Sequence, residues 1–153
     1  MAGKYTIITS DSKLVNGLTL HRIKRLSDGL LGGYLEKETN LSQDGLCFLF
    51  DQGHAYDGAI INGDAKVYGA VYDSASISGS VTVKGEVFGH ASVSDNAELQ
   101  GRVYGRAIVR GNAKIYGEVF DDAIVEGSAQ VYGRVFGNAH VSGNDVVYGD
   151  RNG

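Results

Sequence analysis

From Gly63 to Ser142 the chain reads GDAKVYGAVYDSASIS, GSVTVKGEVFGHASVS, DNAELQGRVYGRAIVR, GNAKIYGEVFDDAIVE and GSAQVYGRVFGNAHVS, five sixteen-residue copies of one pattern. Each copy divides into six, four and six residues, read as Gly-x-Ala-x-Val-x, Gly-x-Val-x and Gly/Asp-x-Ala-x-Val-x. Small or β-branched residues alternate with mostly polar ones inside the segments, the period of a strand with one buried face. A short fixed repeat of this kind stacks, because one unit cannot bury its apolar face alone. Three short strands per copy predict an all-β, single-stranded parallel β-helix with 16-residue coils (6+4+6).

Three columns of such a prism point inward: Val71, Val87, Val103, Val119 and Val135; Ala75, Ala91, Ala107, Ala123 and Ala139; and Val67, Val83, Leu99, Ile115 and Val131. The segment-opening residues from position 63 to 149 are Gly in fourteen cases and Asp in three, Asp73, Asp95 and Asp121. They predict corners with positive φ. Upstream, GLCFLF, DQGHAY and DGAIIN from Gly45 to Asn62 form an eighteen-residue version of the coil. The organisation predicted is therefore a small N-terminal β cap over residues 1–44, a solenoid over 45–149 and a polar tail over 150–153. Tyr5 to Thr9 and Leu18 to Leu26 read as cap strands joined around Asn16 and Gly17, with a third segment from Leu30 to Leu35. Such a cap covers a solenoid end whose backbone groups otherwise invite polymerisation. At the other end Asp145 occupies an inward Ala position.

Composition narrows the function classes. The chain has 153 residues with 23 Gly, no Pro and 42% hydrophobic residues, which excludes collagen and Gly-rich disorder. A net charge of -4 argues against a protein that grips nucleic acid through its phosphates. From Gly45 onward 13 acidic and 8 basic residues alternate in sign instead of forming acidic stripes, so DNA mimicry is a minority reading. Cys47 is the only cysteine and reads as a buried core thiol. Neither a signal-peptide core nor an apolar run of membrane-spanning length is present, so a soluble cytoplasmic protein without a membrane contact is expected.

The hexads GNAKIY, DDAIVE, GNAHVS and GRAIVR resemble the hexapeptide repeat of left-handed β-helix proteins, a superfamily known mainly for acyltransferases. The segment from Gly32 to Gly69 resembles the entry of uncharacterised bacterial and prophage hexapeptide-repeat proteins, where a small amino-terminal cap leads into the coils. The resemblance implies a left-handed solenoid. It carries no reaction with it, and the four-residue middle side departs from the six-six-six rule of the acyltransferases.

With the inward columns committed to scaffold, function must lie in the outward ones. Tyr56, Tyr72, Phe88, Tyr104, Phe120 and Phe136 end the middle side; Phe50, Tyr68, Tyr116, Tyr132 and Tyr148 end the first side, interrupted by Lys84 and Gln100. These aromatic columns read either as rings covering the corners or as an interaction stripe. Between them Glu86, Arg102, Glu118 and Arg134 form a charge ladder. Acyltransferases of the superfamily use a histidine base near an acyl-carrier cleft, with an inserted loop; coils 63–142 have no insertion, and His54, His90 and His140 are spread over repeat segments with His21 in the cap. No catalytic residue, metal site or cofactor is therefore assigned. The function expected is a non-enzymatic protein-binding solenoid; the resemblance implies a phage or prophage origin and, with it, a role in blocking a host complex such as a defence system. Homodimerisation is expected through the aromatic face or the C-terminal end. An acyltransferase-like enzyme and a structural, virion-associated solenoid are the alternatives.

Overall fold

The computed structural model describes residues 3–153; residues 1 and 2 of the expected cap lie outside the described residues. The repeat folds as a parallel β-solenoid in which each coil contributes one short strand to each of three sheets. The first side runs from Phe48–Leu49 to Val146–Val147, and the third from Ile60–Ile61 to His140–Val141. The short middle side runs from His54–Ala55 to Asp150–Asn152. Registers are uniform, so Val83 lies between Val67 and Leu99, and Val87 between Val71 and Val103. All three predicted inward columns are buried, and so are Ala65, Val81, Ala97, Ala113 and Ala129 beside them. Small or aliphatic residues stacked on residues of the same kind give one continuous core.

The corner glycines divide into two kinds. Gly63, Gly79, Gly89, Gly105, Gly111, Gly127, Gly137 and Gly143 have the expected positive φ, as do Asp73, Asp95 and Asp121. Gly69, Gly85, Gly101, Gly117, Gly133 and Gly149, which open the short side, do not, which corrects the expectation of positive φ throughout. Their requirement is steric: a Cβ on Gly101 would lie 1.8 Å from the carbonyl oxygen of Gly117 in the next coil. The short side turns so tightly that its corner backbones touch.

Asp tolerates the left-handed corners because its carboxylate has a partner. Asp73, Asp95 and Asp121 accept hydrogen bonds from the backbone N–H groups of Gly89, Gly111 and Gly137, each at 3.0 Å and one coil further on. Replacing Asp121 with Ala keeps the strained φ and loses this bond, so we expect a cost of about 1–2 kcal/mol. Asp121→Gly should be nearly neutral, since relief of the strain offsets the lost bond; thermal unfolding of both variants checks this.

The cap is woven into the short face. Strands β1 (Tyr5–Val15), β2 (Leu18–Arg25) and β3 (Leu31–Leu35) extend the short side into a ten-stranded sheet, β3 pairing parallel with His54–Ala55. Asn16 and Gly17 both have positive φ, as a two-residue hairpin turn requires. Coil geometry thus begins before the repeat does: β3 supplies a short side and Leu41 bridges Ile61 on the third side. Parallel pairing with the coils therefore reaches upstream of residue 45, to β3 and Leu41. Gly33 already carries the close-approach signature, because its Cβ would lie 1.8 Å from the Gly53 carbonyl oxygen.

Large side chains then close the N-terminal end. Phe48 is in register with the exposed Lys66, at an outward position, yet is buried; its ring lies where a Cβ on Gly32 would sit. Tyr5 donates its hydroxyl proton to the Leu41 carbonyl at 2.6 Å. Burial pushes its pKa well up. Asn40, buried at the end of the 3-10 turn Glu38–Asn40, takes the place of a missing strand by donating to the carbonyls of Asp57 (3.0 Å) and Ala59 (2.8 Å). At the other end Asp150–Asn152 is a strand paired with Arg134–Phe136, where a polar tail was expected. Among the described residues no helix is long and apolar enough to cross a membrane.

Candidate functional site

The short face gathers the aromatic and charged columns. Its strands are held one coil apart by the backbone ladder, so outward residues sixteen apart stack directly. The rings of Tyr56, Tyr72, Phe88, Tyr104, Phe120 and Phe136 form one continuous pile with centroids 4.8–5.1 Å apart and planes within 4° of parallel. Tyr56 is buried and the other five are half-buried. Their faces are covered by one another, so this column is mainly a corner-covering stack whose edges look outward.

The cap claims the N-terminal end of that stack. Val15, Leu18 and Leu20 pack around Tyr34, Tyr56 and Tyr72, and Asn16 donates from its amide to the Tyr56 hydroxyl at 3.0 Å. Beside them Lys13 and Arg22 lie 4.5 and 4.8 Å from the Tyr34 ring centroid, with Arg22 paired to Asp11 at 3.3 Å. Burial, followed by the charge of Arg22, lowers the pKa of Lys13. This polar and aromatic cluster was not legible in the sequence, because its members come from three separate cap strands.

The charge ladder has the predicted register, Glu86, Arg102, Glu118 and Arg134, and one further member, Asp150. Arg102 lies 3.6 Å from Glu118, and Arg134 makes a two-pronged contact with Asp150 at 3.0 and 2.8 Å. Hydrogen bonding to Arg134 holds the Asp150 carboxyl below its usual range. The sixteen-residue spacing from Arg134 was the signal that identifies Asp150. The choice of Tyr or Phe in the adjoining pile follows the ladder. Tyr72 donates to Glu86 (3.2 Å) and Tyr104 to Glu118 (3.4 Å), whereas Phe88 and Phe120 precede the donors Arg102 and Arg134. Burial, then the Glu86 charge, pushes the Tyr72 hydroxyl up to about 12. Tyr104 is raised for the same reasons, burial first and Glu118 next.

The second aromatic column is split by Lys84 and Gln100. Phe50 and Tyr68 stack at 5.2 Å near the cap, where Arg25 lies over Phe50 at 6.0 Å. Tyr116, Tyr132 and Tyr148 stack at 4.7 and 5.4 Å and are 39%, 45% and 77% exposed. These three are the accessible aromatic residues of the face. Exposure therefore distinguishes positions that the repeat makes equivalent.

The remaining candidates are dispersed. His54 is on the short face, with its pKa lowered by burial, while His90 belongs to the corner opening the third side and His140 to a third-side strand. His140 contacts Glu126, which also accepts from Arg110 at 2.8 Å. A shallow groove of ≈ 560 Å³ is lined in part by His90, Arg106, Asp122 and Asn138, with Arg106 and Asp122 paired at 2.8 Å. Cys47 is fully buried, its sulfur 3.2 Å from the Lys4 ammonium. Among the described residues no group of three His, Cys, Asp or Glu side chains converges to hold a metal ion. Compared with known families and with curated proteins, the chain matches none.

Proposed function

We propose that this protein is a non-enzymatic binding solenoid that recognises another protein through its short face. The carrying observation is the exposed tyrosine stack Tyr116, Tyr132 and Tyr148 beside an alternating charge ladder on a sheet of uniform register. Tyr and Arg are favoured anchors at protein interfaces, being large, amphipathic and able to hydrogen-bond at low entropic cost. A preformed face loses little conformational freedom on binding. The resemblance of the Gly32–Gly69 entry segment to bacterial and prophage hexapeptide-repeat proteins supports a phage or prophage origin, with a host complex such as a defence system as the target. Occupying a surface of that complex, rather than a reaction, is the mode of action proposed.

The test uses the exposed residues. Tyr116→Ser combined with Tyr132→Ser should abolish capture of the protein partner from host extract while the chain stays folded, the two lost ring stacks lowering its thermal unfolding midpoint by only several °C. Unchanged capture would remove the short face as the recognition site. Tyr104→Ser with Phe120→Ser is the weaker test, since those rings also hold the stack together.

A further inference from the structure

We propose that the short face also receives a second copy of this chain, in an antiparallel two-fold contact whose axis passes between the coils of Glu118 and Arg134. This inference rests on reading the short face as the recognition surface. Two copies related by a two-fold axis present the same columns to each other. The ladder Glu86, Arg102, Glu118, Arg134 and Asp150 alternates strictly in sign, one charge per coil. With the axis along the solenoid every charge would face its own copy, like against like. Reversal about a single coil gives the same repulsion.

Reversal about a point between two coils places opposite charges together at every rung. Centred between Glu118 and Arg134, it sets Glu118 against the second copy's Arg134, and Arg102 against the second copy's Asp150, each twice. It also brings Tyr116 against the second copy's Tyr132, and Gln100 against its Tyr148. These are the accessible tyrosines of the face. Centred one coil earlier, between Arg102 and Glu118, the charges would match equally well. That register, however, lays the coil of Tyr148 on the coil of Tyr72, where Val15 and Leu18 of the cap hairpin already pack. The cap therefore selects the register.

The contact spans four coils, about 19 Å at the spacing of paired strands. It belongs with small, reversible interfaces that bury less than about 1,200 Å². Its ion pairs lie near water, so salt should weaken it. Light scattering on eluted protein from about 1 μM to about 1 mM should show the mass rise from monomer to dimer, in the range where such contacts form. Arg134→Glu places Glu against Glu118 at two rungs and should weaken dimerisation at least about 10-fold, or about 1.4 kcal/mol.

Combining Arg134→Glu with Glu118→Arg restores both intermolecular pairs. It also destroys the Arg102–Glu118 and Arg134–Asp150 bridges within each chain. Recovered dimerisation in this double variant is the expected result, and the chain's own ladder cannot account for it. A wild-type chain that stays monomeric over the whole range, or a double variant as weak as Arg134→Glu alone, overturns the proposal. Monomeric wild type whose partner capture is still lost on Tyr116→Ser with Tyr132→Ser overturns the dimer alone. Charge-dependent dimerisation with capture unaffected by those serines supports the dimer and overturns the wider binding role.

Discussion

Gly101→Ala should unfold the solenoid or lower its melting midpoint by about 8–16 °C, taking a loss of about 4 kcal/mol and about 2–4 °C per kcal/mol for a chain of this size. The new methyl carbon would lie 1.8 Å from the Gly117 carbonyl oxygen and 2.8 Å from that of Tyr116. Neither neighbour is a flexible side chain. Both are backbone atoms within the ladder that joins the coils: Arg102 donates to the Gly117 carbonyl at 2.9 Å, and Gly117 itself donates to Val131 at 3.0 Å. Making room for the methyl group means separating two coils and stretching that ladder. Gly149→Ala is the matched control, because nothing lies within 4 Å of its added carbon and its φ is not positive. Its effect should stay within about 0.5 kcal/mol. Equal melting points for the two variants would show that close backbone approach does not govern this column.

Asn40→Asp is the second large effect, and it depends on pH. The amide nitrogen of Asn40 donates to the carbonyls of Asp57 and Ala59, while its oxygen accepts from the Lys37 N–H at 3.1 Å. An isosteric carboxylate keeps the last contact and turns the other two into oxygen facing oxygen in a buried site. The expected cost near neutral pH is about 3–5 kcal/mol, that of an uncompensated buried charge. Burial raises the introduced carboxyl's pKa in the folded state above its unfolded value of about 3.9. The folded state then binds more protons than the unfolded one, so stability falls as pH rises between those two values and is constant above the folded one. Relative to wild type, the ionisation penalty should disappear below about pH 4. Asn40→Ala should cost about 2 kcal/mol with no such pH dependence, from carbonyls left unpaired. Chemical unfolding of the three proteins at pH 4 and pH 7 separates these outcomes, and a pH-independent Asn40→Asp penalty would contradict this account.

The division between Gly101 and Gly105 illustrates how far the chain could be read without its fold. Both open a segment, and the repeat makes them look alike. Gly105 stands where φ is +69°, whereas Gly101 stands where two backbones touch. Local pattern marks a corner but cannot tell which of the two constraints the next coil imposes. Phe48 shows the same limit: its place in the alternation is outward, and only the cap folded over it makes it core. On the short face, period alone placed Tyr72, Tyr104, Tyr116 and Tyr132 in their columns. It could not say that the first two are held in a covered pile while the other two stand exposed.

The sequence by itself determined the coil length, the three-sided division, the inward columns and the alternating ladder, because each is a strictly local period that stacking merely repeats. Tertiary structure alone decided where the solenoid begins, how Asn40 and Phe48 close its end, and which tyrosines remain accessible. Those features depend on cap residues meeting coil residues far along the chain. Such meetings leave no periodic trace in the order of amino acids.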